Sequence, residues 1–180
     1  MTASTPASST VLPIAAILYT PTDNVEAVLV EAAARLGERG VRLGGVIQHD
    51  IGGALNDPCA MELEDLSSGT RFSLSQELGR GSEACRLDPD ALARASMIVR
   101  NGIDHGAELV IFNKFGAQEA AGAGLRAEMG IAALAGTPLL TAVGHRFLAE
   151  WMEFTGGESS LLAPSVDSVL AWWNALRHPA

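Results

Sequence analysis

The chain has few groups that would staple it, anchor it or load it with a common metal. Only two cysteines, Cys59 and Cys85, occur in 180 residues, 26 positions apart and outside any C-x-x-C pair. That scarcity excludes a disulfide scaffold, and reduced thiols in a cytoplasmic protein are expected. Four histidines, at 49, 105, 145 and 178, show no metal-ligand spacing, so no zinc site is read. Positive charge is short as well: 12 Lys and Arg stand against 21 Asp and Glu, a net charge of −9. The acidic balance argues against nucleic-acid partners and against an anionic membrane surface. No uninterrupted apolar run approaches the roughly 20 residues that a membrane span needs, so no membrane insertion is expected. The opening "MTASTPASST" lacks a basic n-region and an apolar h-region, and 1–12 reads as a disordered leader without a secretory signal. No Ser-His-Asp arrangement and no internal repeat is legible.

What remains is a chain that is 48% apolar and 18% charged, the composition of a folded domain, expected as one α/β unit over 13–180. "IAAIL", 14–18, reads as a buried strand, followed by the turn "YTPTDN". A helix is predicted from about Asn24 to Arg39, because Val25, Val28, Leu29, Ala32, Ala33 and Leu36 repeat at helical spacing. Asp23 or Asn24 caps it and Gly40 ends it. "VRLGGVIQ", 41–48, supplies the next strand and completes a β-α-β unit. Residues 59–79 alternate around Ser67-Ser68-Gly69, which predicts a hairpin built on Met61, Leu63, Phe72 and Leu74. A helix starts at Pro89 with Asp88 as its cap. A short buried strand over 108–113, a helical segment over 117–135, a strand over 137–143 and helices near 145–154 and 165–177 follow. The fold class is therefore α/β: a mostly parallel sheet flanked by helices, with an inserted antiparallel β-hairpin.

In open sheets of this kind ligands bind outside the carboxyl ends of the strands. A nucleotide hydrolase would carry G-x-x-x-x-G-K-[ST] at the first turn, glycines to expose backbone N–H groups and a lysine for the terminal phosphates. "YTPTDN" has neither, although Thr20 and Thr22 at a helix start offer hydroxyls to a small oxyanion. The same residues also suit plain helix capping. Beyond the strand 108–113, where acidic residues would hold magnesium, stand Asn113 and Lys114. An amide and a cation suit an anion directly, or Lys114 is a solvated loop residue. Gly122, Gly124 and Gly130 within the next helical segment suggest close backbone approach, to a helix or to a ligand. Gln118 and Arg126 lie about two turns apart there, so one helix face can carry both; Arg126 can equally pair with Glu119 or Glu128. Arg86, beside Cys85, is a further candidate for the same crevice, and Gln48 and His49 end the second strand there.

With these residues in view, the chain resembles a bacterial domain-of-unknown-function family, number 2478, whose members are encoded beside molybdate-transport genes. The resemblance rests on "VRLGGVIQ", "CAMELEDLSSG", "CRLDPDALA", "LVIFNKFGAQEAAGAGLRAE", "GTPLLTAV" and the "EWMEFTGG" region. The order of elements is also similar, more distantly, to the small P-loop nucleoside triphosphatases of thermophiles, from which it departs at both nucleotide motifs. The resemblance implies a P-loop-NTPase-like fold and a link to molybdenum, with molybdate-transport or molybdenum-enzyme assembly proteins as partners. A crevice without phosphate loop or acidic pair, and with a lysine added, prefers a naked oxyanion such as molybdate or tungstate to a magnesium nucleotide. The expected function is cytoplasmic oxyanion binding for storage, delivery or sensing, at Thr20, Thr22, Lys114, Gln118, Arg126 and Arg86 and without turnover. A divergent nucleoside triphosphatase or kinase-like enzyme, and a regulatory partner of molybdate transport or cofactor assembly, stand as the other readings. A homo-oligomer is expected because Trp172 and Trp173, adjacent on the last helix, point about 100° apart, which leaves one of them exposed or in a contact; the other reading is that the Trp151 helix covers Trp172 within the same chain.

Overall fold

The computed structural model describes residues 11–50, 61–76 and 86–179. Strand β1 (Ile14–Tyr19) buries Ala15, Ala16 and Ile17 completely, as a strand covered on both faces must. Helix α1 (Val25–Glu38) starts where Asn24 accepts the Ala27 N–H and stops before Gly40, whose φ of 81° no side chain would favour. Strand β2 (Leu43–Asp50) completes the predicted β-α-β unit. β3 (Met61–Asp65) and β4 (Arg71–Ser73) form the expected hairpin, with Leu63 opposite Phe72. Two short strands, β5 (Ser75–Gln76) and β6 (Arg86–Leu87), make a separate antiparallel pair. Helix α2 (Pro89–Asp104) begins as predicted, Asp88 accepting the Asp90 N–H. Strand β7 (Leu109–Ile111) is buried throughout, and β8 (Leu139–Gly144) likewise.

The main sheet runs in the order β4-β3-β2-β7-β8-β1-β9, where β9 is Ser160–Leu162, and is parallel from β2 to β9, with β3 and β4 antiparallel at one edge. β2 serves both halves. Leu43–Gly45 pairs with β7, and Val46–Asp50 pairs with β3. The handover occurs at Gly45, where φ is 92° and an added Cβ would lie 2.0 Å from the Ile111 carbonyl oxygen. Only glycine fits there.

One face of the sheet is covered by α1 and by α6 (Val166–Arg177), the other by α2, α4 (Arg126–Leu134) and α5 (Leu148–Thr155). A 3-10 turn, His145–Phe147, leads into α5. Among the described residues no helix is long and apolar enough to cross a membrane.

Three expectations need correction. The helical segment over 117–135 is two helices, α3 (Ala117–Ala120) and α4, because Gly122 and Gly124 take φ values of 91° and 59° and turn the chain. A strand was missed: β9 (Ser160–Leu162) pairs in parallel with β1 at the sheet edge. Trp172 and Trp173 are both buried within the chain, each 5% exposed. α6 meets the sheet face and α1 together, so two directions about 100° apart both lead into protein. The Trp172 indole N–H also donates to the Leu12 carbonyl at 2.9 Å. The argument for an oligomer from an exposed tryptophan therefore falls away. Of the leader expected over 1–12, residues 1–10 lie outside the described residues, and Val11 packs against the core. Cys59 and Cys85 also lie outside them.

Candidate functional site

The carboxyl ends of β1 and β7 open beside the first turn of α1. The turn between β1 and α1 is closed on itself. Asp23 Oδ2 accepts the Thr20 N–H at 2.8 Å and the Thr20 hydroxyl at 3.1 Å, while the Asp23 N–H returns to the Thr20 carbonyl. Thr20 Oγ1 and Thr22 Oγ1 are 2.8 Å apart, and with Thr20 donating to Asp23 the proton of that bond comes from Thr22. Both hydroxyl protons are thus used inside the turn, and the helix cap is Asn24 alone.

Lys114, beyond the end of β7, reaches the first turn of α1. Its Nζ lies 2.8 Å from Glu26 Oε1, with side chains 31% and 25% exposed. It is the only lysine of the chain. The solvated-loop reading of Lys114 is replaced by a half-buried ion pair across the crevice. Asn113 has a different task. Its amide accepts the Gln48 N–H at 3.0 Å and donates to Gln48 Oε1 at 2.9 Å. This reciprocal bond ties β7 to β2 beyond Gly45, where their backbones no longer pair. His49, on the next position of β2, contacts Glu64 at 3.2 Å.

On the other side of Lys114 lies a cavity of about 210 Å³ with an apolar floor of Val46, Leu63, Leu74, Leu92, Ala95 and Leu125. Gln48, Asn113, Lys114, Gln118 and Glu119 form its polar wall. Glu119 braces that wall: its carboxylate accepts the Gly116 N–H at 3.3 Å, as in half of a capping box, and the Leu125 N–H at 3.5 Å across the break between α3 and α4. Burial pushes its carboxyl above the ordinary range, against the opposing pull of these N–H groups and its own. A Cβ on Gly124 would sit 2.7 Å from Glu119 Oε1, so the brace and the glycine require each other.

The expected residues therefore separate. Thr20 and Thr22 bond to each other and to Asp23 in the turn before α1, and Lys114 bonds to Glu26 in the first turn of α1. Gln118 is exposed at the cavity, beside Lys114 and away from the threonines. Arg126 shares no helix face with Gln118, since the helix is broken between them. It donates to the Glu119 carbonyl at 3.1 Å and lies over the Phe154 ring at 4.9 Å, and it pairs with neither Glu119 nor Glu128 carboxylate. Glu128 instead is buried between Ser96 and Arg100. The backbone of Arg86 lies in β6, and its side chain is outside the described residues. Sequence reasoning missed Asp23, Glu26 and Glu119 as site groups. An acidic residue in the first turn of the helix after β1 was the available signal for Glu26. Among the described residues no cluster of His, Cys, Asp and Glu could hold a metal ion.

Sheet order and helical layers together define the class: an α/β domain with a P-loop-NTPase-like fold, whose turn after β1 reads "YTPTDN", without glycine or lysine. The chain belongs to the family described as "Protein of unknown function (DUF2478)", whose model matches residues 14–172. It is 41% identical over 160 residues, 89% of its length, to a protein of Bradyrhizobium diazoefficiens named molybdenum import ATP-binding protein ModC 2. It spans 18% of that relative's length. Among solved structures it is similar to the crystal structure of THEP1 from the hyperthermophile Aquifex aeolicus, with a TM-score of 0.62 over 91% of this chain and 97% of that one. At 12% identity this is a likeness of fold alone.

Proposed function

We propose that the chain is a non-hydrolytic oxyanion-binding domain serving molybdate uptake, in sensing or delivery, with molybdate or tungstate as ligand. The observation that carries this reading is the Lys114–Glu26 pair. A carboxylate of the chain itself occupies the one ammonium in the crevice, and a second, Asp23, occupies the donors of Thr20. Carboxylates accept the same donors as an oxyanion. Binding is then an exchange: the ligand takes Lys114 Nζ and the hydroxyls of Thr20 and Thr22, while Glu26 and Asp23 swing to water. The N–H groups of Val25 and Glu26, the first two of α1, add to the field there. The relative's name supplies the molybdenum context, and the large remainder of that protein supplies a reason to place this domain beside an ATP-driven importer.

Isothermal titration with molybdate, tungstate, sulfate and phosphate tests the reading. Binding of molybdate and tungstate is expected, lost in Lys114→Ala and tightened about tenfold in Glu26→Gln, where one competing charge is gone. No heat from any of the four anions at about millimolar concentration would overturn it. Magnesium-dependent phosphate release from ATP or GTP that disappears in Lys114→Ala would establish the enzymatic reading in its place.

A further inference from the structure

The cavity behind Lys114 shares that lysine with the anion position at α1, but the oxyanion reading uses none of its floor and neither of its glutamines. Its apolar floor comes from three elements, β2, β3 and α2, together with Leu74 and Leu125. These side chains belong to the main core on that sheet face, so the floor is fixed by packing. The wall is fixed by the Glu119 brace and by the positive-φ glycine it requires. A pre-formed apolar hollow with a few convergent polar groups, at the carboxyl ends of the strands of an open α/β sheet, is the usual form of a small-molecule site.

Its polar wall joins the carboxamides of Gln48, Asn113 and Gln118 to two charged groups that already have partners, Lys114 with Glu26 and Glu119 with backbone N–H groups. Among the described residues Gln48 Nε2 has only the thioether sulfur of Met61, at 3.1 Å, as a partner, and sulfur is a weak acceptor, while Gln48 Oε1 accepts from Asn113 and keeps one lone pair for a second donor. Gln118 is exposed on the wall, with no hydrogen bond from its amide among those of the described residues. A carboxamide presents an N–H and a C=O side by side, which matches an edge carrying the same pair in reverse, as when Asn or Gln reads a base. The volume of about 210 Å³ holds roughly seven to ten non-hydrogen atoms at about 20–30 Å³ each. We infer that this cavity is a second ligand site, for an uncharged nitrogen heterocycle of one or two rings with a lactam-type N–H/C=O edge. The ring lies on Leu63, Leu74 and Leu92, and its edge meets the amides of Gln48 and Gln118. The selectivity is for edge as well as shape, since an apolar ring without that edge covers Gln48 Nε2 while leaving it only the weak sulfur acceptor.

Methyl NMR on the full chain, following Leu63, Leu74, Leu92 and Leu125, gives the test, with uracil and hypoxanthine as probes and phenol as a flat ring lacking the edge. Uracil or hypoxanthine should shift these methyls with a Kd near about 1 mM, within the range for ligands of this size, and phenol should bind at least about tenfold more weakly. Gln118→Ala, an exposed position that leaves the fold intact, should weaken uracil about fivefold or more and leave phenol unchanged. Ala95→Leu, which fills the floor, should abolish all binding. Absence of any methyl shift at about 10 mM probe, a phenol affinity equal to that of uracil, or unchanged binding in a folded Ala95→Leu protein would each overturn the inference. Titration of molybdate into the same sample separates the two sites. The methyls of Leu63, Leu74 and Leu92, on the floor, should stay still when molybdate takes Lys114 on the wall, so either site can fail without the other.

Discussion

Glu26 and Glu119 stand on opposite sides of the end of β7, and their surroundings differ in kind. Glu26 sits at a helix start, a quarter exposed, and meets one flexible ammonium at 2.8 Å. Glu119, on α3 itself, turns its carboxylate to backbone N–H groups, at 3.3 and 3.5 Å. The first carboxylate can leave without disturbing any backbone, because water replaces both partners. The second cannot, because Gly116 and Leu125 would keep unpaired donors and the turn through Gly124 is shaped around it. One side of the crevice is therefore built to exchange, the other to hold still.

The sharpest way to break that contrast is Gly124→Val. A β-branched residue at a φ of 59°, with its Cβ 2.7 Å from Glu119 Oε1, should destabilise the chain by about 3 kcal/mol in chemical denaturation. Glu119→Ala should cost less, about 2 kcal/mol, as two N–H groups lose their acceptor. If either change leaves the denaturation midpoint in place, the wall is not braced as described.

A pH series sharpens the same point. The Glu119 carboxyl binds its proton more tightly in the folded chain than in the unfolded one, because burial raises its pKa. Its contribution to stability is thus full below the ordinary carboxylate range and is lost as pH rises through the raised folded value. Glu108 gives the opposite sign. The Arg42 N–H, ahead of the charges of Arg42 and Arg177, lowers its pKa against the effect of burial. Its contribution is present above the ordinary carboxylate range and fades as pH falls through the lowered value. Denaturation from pH 4 to 7 should show a falling component that disappears in Glu119→Gln and persists in Glu108→Gln.

The smallest stability effects belong to the exchanging side. Lys114→Met and Glu26→Gln should each change stability by less than about 1 kcal/mol, as partly exposed ion pairs do. A midpoint shift as large as that of Glu119→Ala would erase the distinction between the two sides.

Much of the architecture was legible because its signals are local. The periodic stripe of α1, the Asp88-Pro89 start of α2 and the Ser67-Ser68-Gly69 turn each state their structure within a few residues. The break after Ala120 was not legible, since Ala, Leu, Arg and Glu continue the helical composition through Gly122 and Gly124. β9 was missed because three residues carry too little pattern to be read. The strand-end rule pointed to the crevice, but the contacts inside it were not legible. Lys114 and Glu26 are 88 positions apart, and no spacing in the sequence announces that pair. Arg126 was misplaced for a simpler reason: its assignment assumed a continuous helix.

The division of β2 at Gly45 has a consequence in time as well as in space. Residues 46–50 find their partners in β3, within about 20 positions along the chain, whereas 43–45 must wait for β7, more than about 60 positions further on. Short loops close before long ones, so the half of β2 paired with β3 can form its ladder early and locally. The parallel half depends on α2 having formed and brought β7 alongside. Pulse-labelled hydrogen exchange should find the amides of Ile47 and His49 protected before those of Gly44 and Gly45. A single glycine then separates a part of the sheet that each chain can begin alone from a part that waits for the rest of the domain.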